Sequence, residues 1–288
     1  MKKVLVIVGD DFGSSAPVNY SIAEACDSGI LTSASLMAGG CAFADAVRAA
    51  DDRKDLSVGV HVTLCDGHAV LPPSCIPGLV DGDGNLEKNP VKAWLKCSKQ
   101  ALQPQIEMEI EAQFDRLKEA GITPTHVDGH HHLHMHPFVF SAICRLGSRR
   151  GVKWIRIPKE PLKAAFGMNS RRRGAMPFLE WAVFGPLGSY NARRAAGHGM
   201  RVPDSVYGLS HTGKIDERYL LDIFDLLSGP VGELFTHPDV STENGRTELM
   251  ALTSKTVRDR LDVLGIAPAG YGELSGAVTN SGPAWGKS

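Results

Sequence analysis

The sequence predicts an α/β protein: a single-domain, TIM-barrel-like (β/α) fold. Three observations carry that expectation. Short apolar runs alternate with helical patterns along nearly the whole chain. About eight such runs occur, which suits a parallel sheet closing into a barrel. Titratable side chains follow directly after several of the runs, where parallel α/β folds keep their chemistry. At 288 residues and 43% hydrophobic content, the chain can bury one large core. An open doubly wound sheet is the runner-up.

The elements follow in order. Residues 4–8 form an apolar first strand that ends in two aspartates. The run is too short for a signal-peptide core, and no stretch reaches the roughly 18–20 apolar residues that span a bilayer. Pro17 suits an early helical position, and a helix through Ile22 and Ala25 stops at Gly29. Residues 32–37 are the second strand, 42–50 a helix and 56–64 the third strand. Residues 65–88, with Pro72, Pro73, Pro77 and DGDG, read as loop. Ile106, Ile110, Phe114 and Leu117 fall at helical spacing, and Gly121 closes that helix.

A strand at 125–128, a helix at 137–149 and a strand at 152–157 follow. Residues 158–203 break the rhythm and read as an irregular insertion. Alternation then resumes with a strand at 205–209, a helix at 219–227, a strand at 231–236, a helix at 247–264 and a strand at 266–271. The expected domain is 1–274, with 275–288 as a poorly ordered tail.

Net charge is −1 and the pI is near 6.8, so no basic field favours nucleic acid. The cysteines, Cys26, Cys41, Cys65, Cys75, Cys97 and Cys144, form no CxxC pair. They read as reduced thiols of a cytoplasmic protein, and a structural zinc ribbon is excluded.

The polar residues at the strand ends suggest a site. Asp10 and Asp11 follow the first strand, His61 ends the third, and Asp128 and His130 end the fourth. Arg156 ends the fifth, His237 follows the seventh and Glu273 follows the last. Each has an ordinary structural explanation: a helix cap, a core histidine, a turn or an ion pair. Their joint placement favours a site. One carboxylate and two imidazoles from separate strands make a divalent-metal centre with open positions. A second carboxylate can take a proton from water, and a histidine opposite can protonate a leaving group. The reaction class is metal-assisted hydrolysis of an amide or ester. Adjacent Asp10 and Asp11 should not share a job, because neighbouring side chains of an extended chain point opposite ways.

The stretch THVDGHHHLHMHPF, residues 125–138, holds six of the chain's 11 histidines. Read against the strand pattern it is a strand end running into a helix start. His130 is the expected direct ligand, and His131 is expected to face the other way. Asp128 would orient a ligand, while His132 and His134 would support the site or touch substrate. Arg156 and Glu273 join that supporting group. His126 and His136 read as structural.

GDDFG, GVHVTL, THVDGHHHLHMHP and ELFTHPD together resemble the YdjC family of carbohydrate deacetylases, over about residues 3–274. The resemblance implies a barrel-like fold and removal of the acetyl group from an N-acetylated sugar. It also implies one divalent metal ion, described for the family as magnesium. By motif match, Asp11, His61 and His130 would ligate it, Asp10 would be the general base and His237 the general acid. By donor chemistry, zinc, cobalt or nickel suit two imidazoles better than magnesium does.

VLPPSCIPGLVDGDGNL, VYGLSHTGKIDERYLLDIF and LDVLGIAPAGYGEL further resemble the hopanoid-biosynthesis-associated branch, HpnK. That branch implies an N-acetylglucosaminyl lipid as substrate. It carries a lysine within the histidine run, whereas HHHLH here matches the chitooligosaccharide branch, so both substrates stay open. Residues 171–194, an apolar stretch flanked by Arg171, Arg172, Arg173, Arg193 and Arg194, could rest on the inner face of a membrane or simply cover the barrel mouth. A homodimer also stays open. A phosphoesterase and a metal-storage protein are the competing functions.

Overall fold

A computed structural model describes residues 3–161, 164 and 176–276. Eight parallel strands form one curled, TIM-barrel-like sheet: β1 (Val4–Phe12), β2 (Ser33–Leu36), β3 (Ser57–Val62), β4 (His126–Gly129), β5 (Trp154–Ile155), β6 (Ser205–Tyr207), β7 (Val231–Thr236) and β8 (Ala267–Pro268). The order is β5-β4-β3-β2-β1-β7-β6. β7 takes one edge of β1 from Val4 to Gly9. β2 takes the other edge from Val8 onward, and β8 occupies that edge at Val4 and Leu5. Among the described residues, β5 and β6 are not paired as neighbouring strands; a bridge from Trp154 to Arg201 and a hydrogen bond from Val206 N to Lys159 O link the two segments.

Ten helices are described outside the sheet: α1 (Ala16–Asp27), α2 (Phe43–Asp51), α3 (Pro90–Cys97), α4 (Gln103–Glu119), α5 (Pro137–Arg149), α6 (Met176–Gly197), α7 (Glu217–Leu226), α8 (Glu243–Thr253), α9 (Lys255–Leu264) and α10 (Tyr271–Gly276). Side chains alternate along β1 as a two-sided buried strand requires. Leu5 and Ile7 join the large core under the helices, while Val6 and Val8 face a small inner cluster with Trp154, Val206, Phe235 and Tyr271. Gly59 on β3 is forced by this inner packing, since an added Cβ would sit 2.6 Å from the His126 ring.

Four expectations need correction. Much of the segment expected to be irregular is helical, since α6 runs from Met176 to Gly197; Gly185 and Pro186 obscure its period in the sequence. Asn191 docks α6 by donating to the carbonyl of Met135 at 3.0 Å. The single helix expected over 247–264 is two, because Ser254 takes extended backbone (ψ 130°) and caps α9. α3 lies where no helix was expected, capped by Asn89 with Pro90 at its first position. β8 is only two residues long, and Tyr271 starts a helix instead of ending a strand. Arg171, Arg172, Arg173 and residues 277–288 lie outside the described residues. Among the described residues, no helix is long and apolar enough to cross a membrane.

Candidate metal centre

The centre begins with an irregularity in β1. Gly9 pairs with Ala34 and Phe12 with Leu36, so three steps on β1 oppose two on β2. The extra residue is a β-bulge, and Asp11 sits in it with left-handed backbone (φ 62°). Plain alternation would send Asp10 inward and Asp11 out among the helices. The bulge turns Asp11 back, so both carboxylates reach the carboxyl end of the barrel. Asn19 braces the turn, accepting from Gly13 N–H at 2.7 Å and donating to the Ala42 carbonyl.

Asp11 Oδ1 lies 3.3 Å from His61 Nε2 and 2.8 Å from His130 Nδ1. These three side chains, from β1, β3 and the end of β4, place their donor atoms within 4.8 Å of one another. Asp11 Oδ1 is buried, yet neither contact has hydrogen-bond geometry. A buried oxygen crowded by two ring nitrogens without bonding to either is what a cation between them would explain. The donor set, two imidazoles and one carboxylate, fits a divalent ion with positions left open. His61 Nδ1 lies 2.8 Å from Asp128 Oδ1, a contact that places the proton on Nδ1 and leaves Nε2 free to ligate. Burial disfavours the charged ring of His61, but Asp128, Asp10 and Asp11 outweigh it and raise its pKa to about 10 in the metal-free protein. Asp11 is held well below the usual carboxylate range, because the imidazoles of His130 and His61 overcome its burial.

Asp10 has a different environment. It is 2% exposed and forms a two-pronged ion pair with Arg156, Oδ2 to Nη1 at 2.6 Å and Oδ1 to Nη2 at 2.8 Å. Arg156 is itself buried, meets Asp128 at 2.7 Å and pairs through Nε with Glu233. Phe235 carries its guanidinium at 4.7 Å from the ring centroid. Arg156 therefore fixes carboxylates and does not reach toward the opening. Asp128 also accepts from Ser35 Oγ at 2.7 Å. Burial raises its pKa, but Arg156 and His61 outweigh that and hold it far below the usual range.

His237, after β7, is 29% exposed and places Nε2 3.9 Å from Asp10 Oδ2. Its backbone N–H donates to Glu248 at 2.6 Å. A cleft of about 170 Å³ opens here between Asp10, Asp11, Val18, His237, Pro238 and Asn244. A larger cavity of about 690 Å³ lies at the opposite, amino end, along Arg48, Lys54, Ser57 and Gly272. None of the donor clusters of the described residues is there.

The rest of the histidine run divides by position. Residues 130–135 form a 3₁₀ segment in which His131 (φ 51°) and His132 (φ 54°) are left-handed. His131 does not face away from His130 as expected, since their ring centroids lie 4.2 Å apart. His132 stands edge-on to Phe235 at the barrel mouth. His134 is fully buried with Nε2 3.1 Å from the carbonyl of Arg156, so it steadies that residue and cannot touch substrate. His126 is locked between Ser35 and Thr125 inside the barrel, and His136 accepts from Phe138 N at the start of α5.

Glu273 is not brought to the centre. β8 pairs with the start of β1, and the chain then crosses the amino ends of β2 and β3, where Gly272 N–H donates to Ser57 Oγ at 2.9 Å. Glu273 is exposed there and accepts from Gly270 N–H. Sequence reasoning missed Glu233, Tyr271 and Ser35. Tyr271 OH donates to Glu233, which holds the underside of Arg156. A glutamate inside the apolar strand VGELFT was a usable signal for a buried polar partner.

A carbohydrate deacetylase from Geobacillus stearothermophilus is 38% identical over 165 residues, which are 57% of this chain and 62% of that protein. The chain thus spans under two thirds of that relative's length. A structure from Enterococcus faecalis V583, described as a candidate cellobiose-phosphate cleavage protein, superposes with TM-score 0.70 at 22% identity over 95% of this chain and 99% of that one. An uncharacterized protein from Agrobacterium tumefaciens C58 superposes with TM-score 0.51 at 12% identity, over 95% and 89% of the two chains. These two likenesses concern the fold alone. The chain belongs to the YdjC-like protein family, which matches it over residues 4–263.

Proposed function

We propose that the protein is a metal-dependent N-deacetylase acting on an N-acetylated amino sugar. The observation that carries this reading is the convergence of Asp11, His61 and His130, with Asp10 and His237 beside them at one cleft. The curated carbohydrate deacetylase relative and the family membership support it. A divalent cation, if held by Asp11, His61 and His130, would supply Lewis-acid polarisation of the acetamide carbonyl and ease deprotonation of water.

The chain's own residues do the rest. Asp10, held in plane by Arg156, accepts a proton from the attacking water. The water oxygen bonds to the acetyl carbon and the carbon–nitrogen bond breaks. His237 Nε2 delivers the proton that the leaving amine needs. Acetate and a free amino sugar result. Partial exposure of His237 suits a group that meets substrate, and burial of Asp10 under Arg156 suits a fixed base.

A two-metal phosphoesterase is disfavoured. Among the described residues, each of the two other donor clusters shares only an imidazole with the first, and no carboxylate belongs to two clusters, whereas the metal pair of a phosphoesterase lies close together and is typically bridged by a carboxylate or water oxygen. A storage role is disfavoured because Asp11 and His61 come from distant strands.

Between substrates, the HpnK-like segments favour an N-acetylglucosaminyl-hopanoid lipid, with peripheral contact at the inner membrane face. The HHHLH run favours a chitooligosaccharide. Incubation with N-acetylglucosamine oligomers, and separately with an N-acetylglucosaminyl lipid in detergent, should release acetate from at least one. No acetate from either would overturn the deacetylase reading.

A further inference from the structure

The mechanism leaves one polar cluster at the mouth unused. Asp66, in the loop after β3, and His131 approach each other at 3.4 Å (Oδ2 to Nε2). With His130 they place three donor atoms within 4.8 Å of one another. The backbone makes this possible. In an extended chain, His130 and His131 would point to opposite faces. Left-handed backbone at His131 turns the two rings to the same side, and Asp66, also left-handed (φ 45°), meets them from the facing loop.

We propose that Asp66, His130 and His131 form a second, weaker site for a divalent transition metal, which competes with the first for His130 so that excess metal slows the enzyme. Two imidazoles and one carboxylate favour zinc, cobalt or nickel over magnesium. Three features make the site the weaker one. The side chains of His131 and Asp66 are 40% and 51% exposed, against 2% and 23% for His61 and Asp11, so water competes for them and they lose more freedom on binding. His130 is shared, and its Nδ1 already faces Asp11 at 2.8 Å. Two dications around one imidazole also repel each other. Occupancy of the outer site therefore draws on the ring that completes the inner one. The existence of the site does not depend on the deacetylase reading; only its effect on rate does.

The test is a titration of metal-free protein with cobalt(II), followed by visible absorption, and with zinc, followed by calorimetry and elemental analysis. Wild type should bind two equivalents, the second more weakly. Asp66→Asn and His131→Ala should each keep the first equivalent and weaken the second by roughly tenfold or more. On N-acetylglucosamine oligomers, wild-type turnover should fall several-fold as the second equivalent binds, while both variants hold the single-equivalent rate. One equivalent in wild type, or an unchanged second equivalent in both variants, overturns the site. Two equivalents without any loss of turnover overturn the competition for His130. Absence of turnover at every metal level counts against the deacetylase reading, and the two-equivalent titration still decides the site.

Discussion

Asp10 and Asp11 are neighbours in sequence with opposite surroundings. One oxygen of Asp11 is aimed at two imidazoles, whereas both oxygens of Asp10 are bound by Arg156. Substitutions should separate them. Asp10→Asn should keep bound metal and lower turnover by roughly 10²–10⁴-fold, as loss of a general base does; metal content and acetate release measured on the same preparation check this. His130→Ala should lose the metal itself, by equilibrium dialysis. His61 adds a pH dependence. In the metal-free protein its pKa is raised to about 10, so below that a proton must leave before the ring can ligate. Apparent metal affinity should therefore rise by roughly tenfold per pH unit between pH 6.5 and 9, and a flat profile would contradict the ligand role.

At the scale of elements, the centre depends on where regular structure is interrupted. The β1 bulge returns Asp11 to the inner face, and the left-handed residues of the 3₁₀ segment set the directions of His130–His132. Close approach between strands matters equally. Gly59 on β3 makes room for the His126 ring on β4, so Gly59→Ala must shift one strand from the other. The expected cost is about 1–3 kcal/mol, read as a lower denaturant midpoint at unchanged slope. His61 lies two residues along the same strand, so the variant should also weaken metal binding; Gly121→Ala, in an open turn with positive φ, controls for a purely local backbone effect.

At the scale of the whole molecule, one buried guanidinium ties β1, β4, β5 and β7 together through Asp10, Asp128 and Glu233. Arg156→Ala would leave three buried carboxylates without their cation. A loss of about 3–5 kcal/mol is expected by chemical denaturation. Acid should also open the barrel through its neutral histidines. Burial lowers the pKa of His126 to about 3 and that of His134 to about 4, against about 6.5 for the unfolded chain. The unfolded state then binds protons that the folded state refuses. Stability from this source is present above pH 6.5 and is lost progressively as pH falls toward 4 and then 3. Melting temperatures across pH 7 to 3.5 should show it, and His134→Gln should flatten part of the slope.

Hydrophobic periodicity determined the strand–helix alternation and hence the barrel-like class, because burial on both faces leaves its mark on consecutive residues. Strand ends also located Asp10, Asp11, His61, His130, Arg156 and His237, because a parallel sheet puts all its carboxyl ends at one rim. Tertiary structure decided the rest. Pairing register created the bulge that aims Asp11, and registers depend on a strand far away in sequence. It placed β8 at the start of β1, which took Glu273 to the opposite rim. It set Glu233 and Tyr271 beneath Arg156 across 77 and 115 residues of chain (233 − 156 and 271 − 156). Local patterns record which face a residue buries; they do not record which distant charge it meets there.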